Sequence, residues 1–422
     1  MDTKAYIVLA NGQVFEGKSF GATGCVTGEV VFTTSMTGYL ETLTDPSYHR
    51  QIVLQTFPLI GNYGVIPQDF ESGKIHPAGY IVREWCATPS NFRCQGTIDQ
   101  LLKSQGIVGV YDVDTRALTK IIRQQGSMNA RLISFSGDKE KDVQAAEELA
   151  SVQYSLTKNS GFVAHASNIR LFEELANHKL AKASLSVSKS AKQVAKSATQ
   201  AFQEALSYKA VPLTSEGKLA TTLEQASWRG TGKKITLWDF GSRATLKKEL
   251  LKRGFEVQVL AADSSCDDIM DSCPDGIVIS NGPGNPEEYT AAISEISNLI
   301  ETGVPIFAIG LGHLLLALAT GAKTKKLLYG HRGSSQPVKE LSTGKVYITS
   351  QNTGYVVESL PENAELSFKN CHDGSYEGIV YKDFPGISVQ FQPESAHAPL
   401  ESRTIFDSFF DLIDAVKQLQ NA

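Results

Sequence analysis

The chain has 422 residues, with 40 Lys and Arg against 45 Asp and Glu and a net charge of −5, so it lacks the basic excess of a nucleic-acid binder. With 41% hydrophobic and 20% charged residues it can fill ordinary globular cores, which excludes a disordered chain. No apolar run reaches the roughly 20 residues of a membrane span, the first residues carry no signal or transit pattern, and the six cysteines show no metal or disulfide spacing. The expectation is a cytoplasmic protein of two or more domains, with no metal, no nucleic acid and no membrane among its partners.

The first 155 or so residues read as mixed strand and helix. Tyr6–Ala10 is a strand, Asn11-Gly12 is a hairpin turn, and Gln13–Lys18 returns beside it. A second apolar run, Gly28–Phe32, precedes a stretch rich in Gly, Pro, Asp and Asn from Gly38 to Gly64. Helices are expected at Ile98–Gln105, at Thr115–Gln124 with Asp114 as N-cap, and at Asp142–Ala150.

Residues 156–233 differ in character. Between Leu175 and Gln203 five lysines and no acid stand among Ala and Ser. Such a segment is helix-prone and reads as a solvated linker or insertion, with a docking surface for an acidic partner as the functional alternative.

From residue 234 strand and helix alternate. Apolar runs at Ile235–Phe240, Val257–Ala262, Gly276–Ser280, Val304–Ile309 and Val346–Thr349 are separated by helical stretches, among them Arg243–Arg253, Glu287–Thr302 and His313–Thr320. This is the pattern of a doubly wound parallel sheet, an α/β fold whose ligand sites gather at the carboxyl ends of the strands. The chemistry is therefore expected at Asn281–Pro286 and Ala308–His313.

The second of these places is a strand, a tight turn and a helix, the build of a nucleophile elbow that lifts one side chain above the sheet. The apex position is Gly310, which has no side chain with which to attack.

PIFAIGLGHLLLALATGAK (305–323) resembles the elbow of class I glutamine amidotransferases, whose pattern is G-[IV]-C-L-G-H-Q. Asn281–Pro286, Gln351–Tyr355 and Gln390–Glu394 are similar to further signatures of that family. GEVVF (28–32), SMTGYLETLTDPSY (35–48), PLIGNYG (58–64), SNFR (90–93), DTRALTKIIRQQG (114–126) and GHRGSSQPV (330–338) resemble the small subunits of carbamoyl-phosphate synthases. The likeness takes in nearly everything outside 156–230. It implies two domains, a small-subunit amino-terminal domain at 1–155 and an amidotransferase domain at 234–422, joined by the segment 156–233.

In that family the small subunit hydrolyses glutamine and passes ammonia to a large subunit. Carried over by resemblance, the nucleophilic cysteine falls on Gly310, the catalytic histidine on Gln392, and the acid that orients it on Glu394, which is retained. The family's other departures fall on Ala308, Leu314 and Thr353. The glutamine-binding positions fall on Ser47, Gly282, Gly284, Leu311, Leu314, Asn352, Gly354 and Tyr355.

Read as plain structure, Ser47 is a turn residue after Asp45-Pro46, and Gly282 and Gly284 make a turn. On the same plain reading His313 is a satisfied core histidine, Cys371 belongs to a loop, and Asp239-Phe240-Gly241 ends the first strand of the second half. Glu394, without its histidine, reads as a surface or salt-bridged carboxylate.

Losing the nucleophile alone from a Cys–His–Glu unit costs on the order of 10⁶ in rate, and losing the base adds little. Neither His313 nor His397 restores a thioester route, because a base without a nucleophile forms none. The resemblance thus implies a small subunit that has lost its glutaminase, binds glutamine weakly if at all, and docks a large subunit making carbamoyl phosphate from ammonia for arginine or pyrimidine synthesis. ATP and Mg are expected on that large subunit and no cofactor on this chain, which has no phosphate loop of the G-x-x-x-x-G-K-[ST] kind. The alternatives are a non-enzymatic regulatory or scaffolding pseudo-subunit and a glutaminase of another mechanism.

Overall fold

The computed structural model describes residues 3–134, 232–395 and 400–420. The expected helix at Asp142–Ala150, the lysine-bearing segment and His397 lie outside the described residues.

The N-terminal half closes into a barrel. β1 (Lys4–Leu9) turns at Asn11-Gly12, where Gly12 takes φ 86°, into the antiparallel β2 (Val14–Gly21). β3 (Gly24–Thr33), β4 (Ile52–Gln55), β6 (Gly79–Ile81), β8 (Val108–Tyr111) and β9 (Met128–Ser134) complete the barrel in the order β1-β2-β8-β6-β4-β3-β9. The short strands β5 (Leu59–Ile60) and β7 (Glu84–Trp85) pair beside it. Ile7, Leu9, Val30, Ile52, Leu54, Val110 and Leu132 fill one core cluster, each fully buried.

The stretch 38–64, read from sequence only as turn-rich, also holds helix α1 (Tyr39–Thr44), a short turn of helix at Pro46–Tyr48, and β4. α2 (Ile98–Ser104) starts from a Thr97–Gln100 capping box, and α3 (Thr115–Gln125) from Asp114, whose side chain accepts from the Ala117 N–H as expected.

The C-terminal half is one nine-stranded sheet. β11 (Glu256–Ala261), β10 (Lys234–Asp239), β12 (Gly276–Ile279), β13 (Ile306–Ile309) and β18 (Gly386–Val389) run parallel in that order. α4 (Ala244–Lys252) and α8 (Thr404–Gln420) cover one face through Leu246, Leu250, Phe406, Phe409 and Ile413. α5 (Cys266–Met270), α6 (Thr290–Glu301) and α7 (Leu311–Ala319) cover the other through Ile269, Ile296, Leu299 and Leu315.

One strand assignment is corrected. Val346–Thr349, expected within the parallel alternation, opens β15 (Val346–Ser359), which runs antiparallel to β14 (Lys323–Glu340). A five-residue connection cannot carry a parallel crossover, so the pair is a hairpin. It extends the sheet through β16 (Ala364–Asn370) and β17 (Tyr376–Tyr381). Among the described residues no helix is long and apolar enough to cross a membrane.

The hairpin joins the halves. The carbonyl of Arg332 on β14 accepts from Thr34 N–H and Oγ1, Leu328 O accepts from Ser127 N–H, and Lys326 Nζ lies 2.7 Å from Glu29 Oε1. The carboxyl ends of β10, β12, β13 and β18 are thereby set against the barrel.

Candidate functional site

β13 ends at Ile309 and α7 begins at Leu311, so the elbow is one residue wide. Gly310 sits there at φ 58°, ψ −110°, with its N–H on Val389 O at 2.9 Å. This is the strained backbone that presents a nucleophile, and it persists with no side chain to present. A Cβ added to Gly310 would meet Asn281 Cβ at 3.0 Å. Gly312 packs so closely on β12 that a Cβ there would lie 2.4 Å from Ile279 O.

Gln392, on which the resemblance places the base, is buried and faces the Arg243 guanidinium. Its Oε1 accepts from Arg243 Nη1 at 2.9 Å, and its backbone N–H donates to Ser350 O. Arg243 Nη2 in turn holds Glu71 Oε1 of the barrel half at 2.6 Å. Glu71 Oε2 accepts from the Thr245 N–H and hydroxyl, so it also caps the start of α4. Burial pulls against the Arg243 charge, but the carboxylates of Glu71, Asp45 and Glu394 outweigh it and raise the Arg243 pKa.

Glu394 corrects the expectation of a surface or salt-bridged carboxylate. It is 1% exposed, and neither carboxyl oxygen has a hydrogen-bond partner among the described residues. Burial pushes its pKa up to about 7, against the pull of Arg243. The Gln392 amide exchanges no proton near neutrality, and the Arg243 guanidinium is engaged by Glu71, so Glu394 is the titratable group left at this position.

In front of the elbow a cavity of about 70 Å³ is lined by all eight positions carried over as glutamine-binding: Ser47, Gly282, Gly284, Leu311, Leu314, Asn352, Gly354 and Tyr355. Ser47 arrives from the barrel half by way of Asp45, whose carboxylate accepts from the Ser47 N–H, and Asn281 Nδ2 reaches Ser47 Oγ at 3.4 Å. Asn352 Nδ2 reaches back to Asp45 Oδ2, also at 3.4 Å. Gly282 has no room for a side chain, because a Cβ would stand 2.5 Å from Phe240 O. Thr353 also lines the cavity, and its hydroxyl donates to Tyr355 O.

Ala308 is buried within β13. His313 lies in the core with Nδ1 on Ser388 Oγ at 2.8 Å, and burial draws its pKa down to about 3, so it stays neutral and outside the cavity. Asp239 does end its strand, accepting from the Gly241 and Ser242 N–H groups, and Cys371 is an exposed loop residue.

Sequence reasoning missed five further residues that line the cavity: Glu29, His49, Gln51, Lys326 and Arg332. It also missed Glu71 and Arg243. Glu29 stood inside the GEVVF match and Arg332 inside the GHRGSSQPV match, but nothing in their spacing places them beside the elbow.

Two family models match: "Carbamoyl-phosphate synthase small chain, CPSase domain" over residues 7–132 and "Glutamine amidotransferase class-I" over residues 236–412. The chain is 39% identical over 406 residues to a carbamoyl phosphate synthase small chain of Clostridium perfringens, covering 96% of this chain and 98% of that one. It is 40% identical over 420 residues to a small chain of Syntrophotalea carbinolica, covering 99% and 100%. A small chain of Vibrio cholerae is 39% identical over 415 residues, covering 98% and 99%.

Proposed function

Since the chain belongs to the carbamoyl-phosphate synthase small-chain family, with an amidotransferase domain following the small-chain domain, we propose that it is a small subunit without glutaminase activity that supports synthesis of carbamoyl phosphate from free ammonia. The observation that carries this is the elbow: its backbone is intact at Gly310, φ 58°, while its apex has no nucleophile. Gln392, tied to Arg243, supplies no base.

The partner in this reading is the large, ATP-using subunit, in the cytoplasm. A docking interface buries a broad area that does not depend on one catalytic side chain, so the docking role outlives the chemistry. The proposed domain division is 1–155 and 234–422, joined by 156–233.

The test is co-purification with the candidate large subunit, followed by carbamoyl-phosphate synthesis with glutamine and with ammonium separately. Activity with ammonium alone supports the proposal. Activity with glutamine overturns it, and failure to bind the large subunit moves the reading to a regulatory pseudo-subunit.

A further inference from the structure

A buried cluster of histidine, amide and carboxylate side chains stands on the β14–β15 hairpin, and none of its members lines the cavity in front of the elbow. Its centre is His331 on β14, whose side chain is 10% exposed. Nε2 lies 2.9 Å from Asp373 Oδ2, and Nδ1 lies 3.1 Å from Gln351 Oε1 and 3.6 Å from Glu377 Oε1. Gln351 presents its oxygen to the ring because its Nε2 donates to Glu377 Oε2 at 2.9 Å and to Thr349 Oγ1 at 3.3 Å. Turning that amide over would set its oxygen against the Glu377 carboxylate.

Both ring nitrogens therefore face acceptors. An imidazolium donates from both, whereas a neutral ring has one N–H and must turn a lone pair on the other acceptor. Glu377 sharpens the choice. Its side chain is fully buried, it accepts from the neutral side chains of Gln351, Asn370 and Ser375, and His331 is its only ion-pair partner among the described residues. The charged groups facing the ring are Glu377 from β17 and Asp373 from the loop after β16. β15 and β16 offer the neutral Gln351 and Asn370, and Arg332, next on β14, donates to Tyr329 O. Burial opposes the charge on His331, and the two carboxylates outweigh it, so the ring stays charged past the ordinary histidine value of about 6.5.

The two sides of the ring differ in what a lost proton costs. Gln351 and Glu377 are buried, and no water relieves a lone pair turned on them. The Asp373 side chain is 39% exposed and can turn to solvent. It belongs to the loop Cys371–Ser375 between β16 and β17, where its Oδ1 accepts from the Ser375 N–H and hydroxyl. That loop is tied back to β14 through the Cys371 N–H on Pro337 O and through Asp373 on His331.

We propose that His331 is a proton-operated latch: charged, it fastens the loop Cys371–Ser375 to the hairpin through Asp373; neutral, it keeps its proton on Nδ1, toward Gln351 and Glu377, and releases that loop. The latch is closed below the ordinary histidine range and opens as pH rises through the raised value. It does not depend on whether the elbow is inert.

The test uses the full chain, with isotope-labelled histidine rings followed by NMR and amide hydrogen exchange between pH 6 and pH 9, corrected for the intrinsic rise of exchange with pH. The His331 ring should pass from imidazolium to the Nδ1–H tautomer with a midpoint above about 6.5. Protection of the Gly374 and Ser375 amides should fall at least tenfold over the same midpoint while that of the barrel strands holds. His331→Asn, whose amide reaches only as far as Nδ1, should show the released loop at every pH. Glu377→Gln, which removes the buried charge, should move ring midpoint and loop release together to lower pH. Loop protection that does not change between pH 6 and pH 9 overturns the proposal. So does a neutral ring that keeps its proton on Nε2, or a loop that still opens with pH in His331→Asn. Exchange in the unaltered chain decides the matter even if neither variant folds.

Discussion

Arg243 and Glu71 form a buried ion pair of 2.6 Å between residues 172 positions apart, one at the start of α4 and the other in the barrel half. Arg243 is 3% exposed and Glu71 2%. Removing one member leaves the other charged and buried, which costs about 3–5 kcal/mol. Glu71→Ala also strips the cap from α4, so the unfolding free energy read from a urea titration should fall by that order, whereas Lys4→Ala, on the exposed Lys4–Glu16 pair, should scarcely change it.

On the proposed reading, glutaminase activity returns only when nucleophile and base are restored together. Gly310→Cys places a side chain at φ 58° and 3.0 Å from Asn281 Cβ, so it should cost about 1–3 kcal/mol of stability. Alone it should release no glutamate from glutamine, and neither should Gln392→His. Combined in the presence of the large subunit, the two should hydrolyse glutamine at least ~10²-fold faster than either alone, because nucleophile and base act as one device. A double variant no faster than Gly310→Cys would mean that the Arg243 contact or Leu314 blocks the site.

Glu394 gives stability a pH dependence of known sign. Its carboxyl titrates at about 7 when folded, because of burial, and near 4.3 when unfolded. Between those values the folded state binds the extra proton, so stability falls as pH rises. The contribution is full below about pH 4 and gone above about pH 7, and it amounts to a few kcal/mol. Chemical unfolding at pH 5 and pH 8 should show this loss, and Glu394→Gln should flatten it.

Two histidines should behave oppositely in NMR titrations. His331 has Nε2 on Asp373 at 2.9 Å and Nδ1 near Gln351 and the fully buried Glu377. Burial opposes its charge, yet Glu377 and Asp373 raise its pKa above the ordinary value. His313, at about 3, should show no titration between pH 5 and 8. A His331 midpoint below the ordinary histidine value would contradict the network.

Gly282→Ala should damage both fold and cavity. The added methyl would sit 2.5 Å from Phe240 O and 2.9 Å from Leu311 Cδ2. Overpacking of this kind costs about 1–3 kcal/mol, and the measurement is a lowered melting temperature.

Much of the site was legible because it is built locally. The elbow is a strand, one turn residue and a helix within a dozen positions, and the loop after β12 is a run of turn formers. Periodicity and glycine placement suffice for such units. The β14–β15 hairpin was legible only as a fragment. Val346–Thr349 was read alone because Gly330, Gly333 and Pro337 interrupt the apolar pattern of its partner strand, and that partner decides its direction. Glu394 was misjudged because a single carboxylate in a sequence does not say how much protein will cover it.

The sequence by itself determined which atoms are present: no thiol at 310, no imidazole at 392 and an aliphatic side chain at 314. Tertiary structure decided which charges meet. Glu71 found Arg243 and capped α4, Glu29 took Lys326, and Arg332 was buried beside the cavity with its Nη1 on Tyr329 O. A side chain's repertoire is covalent and readable from its letter. Its partner depends on where segments hundreds of residues apart are brought by the packing of barrel against sheet, and no local pattern encodes that distance.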